Sequence, residues 1–128
     1  MAVASLAVPV SAQTVTWLSP TTGGTWSVGS NWTTGTAPTT TGTAVLDDAT
    51  ANRTVFTVTS GTVASLTLAQ TTANVLNEFR IGSNFRVTNA VTLGASSGTA
   101  RFTALPSGAG NVTAIFNNGI TVNGGGQL

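Results

Sequence analysis

Polar and apolar residues alternate along most of this chain with a period of two. In "NFRVTNAVTL" (84–93), Phe85, Val87, Asn89, Val91 and Leu93 share one side; Asn84, Arg86, Thr88, Ala90 and Thr92 share the other. Successive Cβ atoms of a strand point to opposite faces, so the pattern predicts a half-buried strand. Asn89 interrupts the apolar side and is expected at a bend, where its amide can bond backbone groups. Related strand signals occur at "TVTWL" (14–18), "TAVLD" (43–47), "RTVFTVT" (53–59), "TVASLTL" (62–68), "NEFRI" (77–81), "TARFTA" (99–104), "NVTAIF" (111–116) and "GITV" (119–122). Helical periodicity is absent, and Gly, Ser or Asn punctuates every few residues.

The strands themselves repeat. Phe56, Phe79 and Phe102 each open an F-x-[V/I/A] unit, and they are evenly spaced (79 − 56 = 23; 102 − 79 = 23). Ser60-Gly61, Ser83-Asn84 and Pro106-Ser107 follow at equivalent places. A second strand repeats more loosely through Leu68, Val91 and Ala114. Short strands and tight turns in copies of this length predict an all-β solenoid, a parallel β-helix with about 23 residues per coil. Stacked coils would turn Phe56, Phe79 and Phe102 into an aromatic core ladder. Evenly spaced strands also suit an antiparallel β-sandwich, which is the alternative fold.

Composition narrows the chemistry. In 128 residues the charged groups are Asp47, Asp48, Glu78, Arg53, Arg80, Arg86 and Arg101, and there is no His, Cys or Tyr. Scattered arginines are not the clustered cations that nucleic acid requires. The usual general base, thiol nucleophile and soft metal ligands are missing together, so no catalytic, cofactor or metal residue is expected. Asp47 and Asp48 are adjacent on a strand and point to opposite faces, so they read as a polar strand end with Arg53 as a partner rather than as an acid–base pair. Three Asn-x-Thr triplets, at Asn31, Asn52 and Asn111, are expected by chance in a chain this rich in both residues. A threonine-ranked face of the kind that meets ice finds little support at this period, because the positions 23 and 46 residues beyond Thr57 are Arg80 and Thr103.

The ends suggest three segments. Residues 1–12 contain a short apolar run, Ala2 to Val10, and a small-residue site at Val10-Ser11-Ala12. This reads as the remnant of a secretory signal, or as a retained apolar N-terminal strand. It is too short to span a membrane as a helix. Residues 13–52 are expected to form an N-terminal β cap, and 53–128 the solenoid repeats. "GITVNGGGQL" at the other end has no polar cover.

The cap holds every tryptophan: Trp17, Trp26 and Trp32. An uncovered solenoid end exposes core and unpaired backbone, and indole rings are the largest covers to hand. A structural cap is therefore the leading reading, with Trp26 and Trp32 as sugar contacts the alternative. The stretch Trp17, Gly23-Gly24, Trp26-Ser-Val-Gly-Ser-Asn31-Trp32, Gly35-Thr-Ala-Pro38, "TAVLDDA" and "TVFTVTSGTVASLTL" resembles the N-terminal pattern of autotransporter passenger domains and proteins with autotransporter-associated β-strand repeats. The resemblance implies a right-handed parallel β-helix, exported to or beyond the surface of a Gram-negative-type cell, without catalysis. The expected function is a secreted or cell-surface structural protein, an adhesin stalk or self-assembling fibre subunit. It would join copies into a homo-oligomer or filament by β-strand addition. The alternative is a carbohydrate-binding module recognising a surface glycan.

Overall fold

The computed structural model describes residues 12–18, 23–47, 49–106 and 110–128. Eleven strands follow in order: β1 (Thr14–Thr16), β2 (Gly23–Thr25), β3 (Thr43–Leu46), β4 (Arg53–Thr57), β5 (Gly61–Val63), β6 (Ser65–Gln70), β7 (Leu76–Ile81), β8 (Phe85–Val87), β9 (Val91–Ala104), β10 (Ala114–Phe116) and β11 (Ile120–Gln127). One short 3-10 helix, Gly29–Asn31, is the helical exception. Among the described residues every strand pairing is parallel, and only an isolated bridge between Trp17 and Trp32 is antiparallel. The fold is thus a β-solenoid of about four turns with roughly 25 residues per turn, and not an antiparallel sandwich.

Three faces wind around one core. The first carries β2, β4, β7 and the end of β9, where Val55, Phe79 and Phe102 are successive partners. The second carries β5, β8 and β10. The third carries β1, β3, β6, the start of β9 and the start of β11. Strand β9 serves two faces: residues 91–95 pair with β6 and residues 99–104 with β7. Ser96, Ser97 and Gly98 turn the corner between them, and Gly98 is needed there. A Cβ on it would lie 2.5 Å from the carbonyl oxygens of Thr72 and Val75. Asn89 is exposed at the bend between β8 and β9.

Alternation fixes what is buried. Along β6 the inward residues Leu66, Leu68 and Gln70 are buried, while Ser65, Thr67 and Ala69 are partly exposed. Residues 13–52, expected as a cap set apart from the repeats, supply β1 and β3 to the same parallel ladder as β6. Among the described residues, stacking therefore begins at Thr14.

The expected phenylalanine ladder needs one correction. Phe79 and Phe102 are register partners inside the core, with ring centroids 5.6 Å apart. Phe56 is not in that row. Its partner is Arg80, and the inward residue aligned with Phe79 is Val55. The coil from β4 to β7 is one residue longer than the period suggested (79 − 55 = 24). Side chains alternate with a period of two, so a slip of one residue turns Phe56 to the outer face. For the same reason Thr57 faces inward and is buried.

Candidate functional site

The tryptophans lie inside the first turn, at the head of an aromatic chain that runs the length of the core. Trp17 meets Trp32 edge-on at 4.9 Å, Trp32 meets Trp26 at 4.8 Å, and Trp26 meets Phe79 and Phe85 at 5.1 and 5.2 Å. Phe102 continues the chain to Phe116 at 5.2 Å. Trp17, Trp26 and Trp32 are 4%, 7% and 1% exposed, and Trp32 Nε1 donates to the Trp26 carbonyl at 2.8 Å. Gly24 makes room for this packing, since a Cβ there would sit 2.5 Å from the Trp17 ring. A sugar stacks on an open ring face, and Trp26 and Trp32 present none. The sugar-contact reading of these two residues is therefore set aside.

Neighbours of the tryptophans cover the outer edge of β1. Leu18 N donates to Asn31 O at 2.6 Å, Thr33 N to Thr16 O at 2.9 Å, and Thr16 N to Thr33 Oγ1 at 3.1 Å. These bonds fold residues 31–33 back along β1. The Asn31 amide also donates to Thr25 O at 3.3 Å, beside β2. Thr16 N, Thr16 O, Leu18 N and Thr25 O, groups that an outer strand would use, are thus occupied from within.

The C-terminal end is open by contrast. Strand β11 pairs with β9 on one side and with no strand on the other among the described residues. Val122, aligned with the fully buried Leu93, is 43% exposed. Ile120 and Phe116 are only partly buried. Among the described residues β11 thus has an eight-residue edge without a second partner strand, beside a partly buried apolar row.

Two polar clusters carry most of the charge. On the first face, Glu78 is 1% exposed yet points away from the apolar core, between neighbouring rungs. Its carboxylate accepts from Thr54 Oγ1 at 3.0 Å and Arg80 Nη2 at 2.8 Å on one oxygen, and from Arg101 Nε at 3.0 Å and Thr103 Oγ1 at 2.7 Å on the other. Burial alone would raise its pKa. The hydrogen bonds from Thr103, Arg101 and Thr54, with the Arg101 charge, outweigh burial and hold it below the ordinary 4.5. A lowered carboxylate pKa contributes stability that is present above the unfolded value and lost as pH falls through the folded one. Urea unfolding should therefore show stability dropping as pH falls below about 4.5, and Glu78→Gln should flatten that acid limb. An unchanged acid limb in Glu78→Gln would show that this clamp does not set it.

The second cluster is internal. Asn77 Nδ2 donates to the carbonyls of Leu46, Asp47 and Ala69 at 2.9, 3.1 and 2.8 Å, and its Oδ1 accepts from Arg53 Nε at 3.0 Å. Arg53, expected as a side-chain partner of the aspartates, donates its Nη2 to the Asp47 backbone carbonyl and is 5% exposed. Asp48 lies outside the described residues. Gln70, fully buried, bonds Ala49 through both ends of its amide, at 3.1 and 2.9 Å. These groups fasten the corner between the third and first faces. Their sequence signal is faint: Asn77 has the same parity as Phe79, so a polar amide falls in an inward row.

Among the described residues, no three His, Cys, Asp or Glu side chains come together to hold a metal. No helix there is long and apolar enough to cross a membrane. No family model, curated protein or solved structure matches the chain.

Proposed function

We propose that this chain is a structural β-solenoid element, working outside the cell as part of a stalk or fibre and lengthened by strand addition to β11. The observation that carries the reading is the contrast between the two ends. The β1 edge is covered by the Trp17–Trp32 bridge and the bonds of residues 31–33, whereas among the described residues β11 has a free edge along Ile120–Gln127. The outward-facing half of the N–H and C=O groups of β11, beside half-buried Phe116 and Ile120, forms a template for another strand. The edge carries no charge, so little repulsion opposes approach. Export agrees with the apolar run at 2–10 and with the resemblance of residues 14–68 to surface passenger proteins.

The contrast gives growth a direction. A copy's β1 edge is already engaged by residues 31–33, so simple head-to-tail stacking of β1 on β11 is disfavoured. A donor must come from outside the paired ladder; if it is retained after export, the uncharged run at 2–10, which lies outside the described residues, is the candidate within this chain. Electron microscopy and light scattering of residues 1–128 and of residues 13–128 test the reading. Assembly of the longer form alone supports that donor. Assembly of both forms supports strand addition from elsewhere, and monodisperse monomers in both overturn the fibre reading. Val122→Lys should abolish assembly while leaving the unfolding midpoint near its original value, because a buried lysine in the new interface cannot be solvated, whereas in the monomer Val122 is 43% exposed.

A further inference from the structure

The third face carries an array that neither the core nor the open end uses. Thr16, Val45, Thr67, Thr92 and Thr121 are register partners in turn, so they form one rank across five rungs. They alternate with inward residues such as Leu66, Leu68, Val91 and Leu93, and so point outward. Thr14, Thr43 and Ser65 make a parallel rank two residues earlier. Rungs lie about 4.8 Å apart and alternate residues of a strand about 6.7 Å apart, so the two ranks sample a near-rectangular grid.

The chemistry of this grid is uniform. The strand segments that build it contain no charged residue and no aromatic ring. Among the described residues the side-chain hydroxyls of both ranks donate to and accept from no protein group. On the first face the opposite holds, since Thr54 and Thr103 are committed to Glu78. Each threonine therefore offers a free hydroxyl and a methyl at a fixed place. Its β-branch restricts χ1, and the rungs hold the backbone, so little freedom is lost on contact.

A rank of outward side chains along five rungs is an open face, unlike the concave sites that enclose small ligands. Only an extended surface touches five rungs at once, and then the weak contacts of single hydroxyls act together as one multivalent contact. The absence of charge argues against an ionic polymer or a charged membrane. The absence of an exposed ring argues against sugar stacking. A lattice of water molecules offers donors and acceptors at every seat and leaves room for the methyls. We propose that the third face binds the surface of ice, with the rank from Thr16 to Thr121 as its centre line. This is independent of strand addition at β11.

The test is retention of the purified chain in slowly grown ice, with thermal hysteresis as a second readout. Thr67→Lys and Thr92→Lys place a long cation in the rank, and Thr62→Lys places one on the second face as a control. Circular dichroism checks the fold of each. The unchanged chain and Thr62→Lys should enter the ice, and the two rank variants should be retained at least about tenfold less, a loss of about 1.4 kcal/mol. Thr92→Val keeps the shape and removes one hydroxyl, so it reports on the rank even where a lysine disturbs folding; it should show a smaller loss. Exclusion of the unchanged chain from ice overturns the proposal, as does an equal loss in Thr62→Lys. Retention on crystalline cellulose or chitin together with exclusion from ice assigns the face to a polysaccharide instead.

Discussion

Trp32→Ala should remove a large part of the chain's stability, about 3–5 kcal/mol. Trp32 is 1% exposed and touches both other tryptophans, at 4.9 and 4.8 Å. Its indole N–H also satisfies the buried Trp26 carbonyl. Truncating a buried tryptophan costs about 3–5 kcal/mol, through lost transfer energy and the cavity left behind. A domain of this size has a total stability of about 5–15 kcal/mol. The loss falls on the turn that closes the N-terminal edge, so that edge should open as well. Urea unfolding followed by circular dichroism measures the effect. Phe116→Ala is the internal comparison: this ring ends the same aromatic chain but is only partly buried, so it should cost much less. Equal losses from the two substitutions would show that the tryptophans do not anchor the first turn.

Asn77→Leu is the second large effect, and its sign runs against hydropathy. Leucine is similar in size and more apolar, and the position is fully buried in an inward row beside Phe79. An apolar gain would ordinarily stabilise. Here the amide serves three carbonyls and the Arg53 guanidinium, and a leucine serves none. Each buried polar group deprived of a partner costs about 1–3 kcal/mol. Other partners of Asp47 and Arg53 soften the total, so a net loss of about 2–4 kcal/mol is expected from these terms. The corner between β6 and β7 should loosen first. Amide hydrogen exchange at residues 70–76 would show it as faster exchange than elsewhere in the core. A stabilised Asn77→Leu would mean that the corner is held by the backbone ladder alone.

Much of the architecture could be read before any coordinates, because it depends on neighbours along the chain. The alternation in "NFRVTNAVTL" places Phe85, Val87, Val91 and Leu93 inward, and they are buried. The bend at Asn89 follows from the polar break in that row. Phe79 and Phe102 stack as their spacing predicts. A core too small to close its own end calls for large rings, and Trp17, Trp26 and Trp32 are packed there. Two clusters were hidden because their members are distant in sequence. Glu78 takes bonds from Thr54 and from Thr103, and Asn77 reaches back to Leu46.

The sequence by itself determined the period of two, the solenoid class and the aromatic filling of the first turn, since each is written in local pattern. Only the tertiary structure decided the register, because register depends on the length of every intervening turn. On the third face the coil lengths are uneven (45 − 16 = 29; 67 − 45 = 22; 92 − 67 = 25; 121 − 92 = 29). A fixed repeat of 23 cannot find the rank from Thr16 to Thr121, and it puts Phe56 in a row it does not share. With side chains alternating every residue, one extra residue in a turn exchanges inside for outside. That is why Thr57 is a core residue while Thr67 and Thr92 face the solvent.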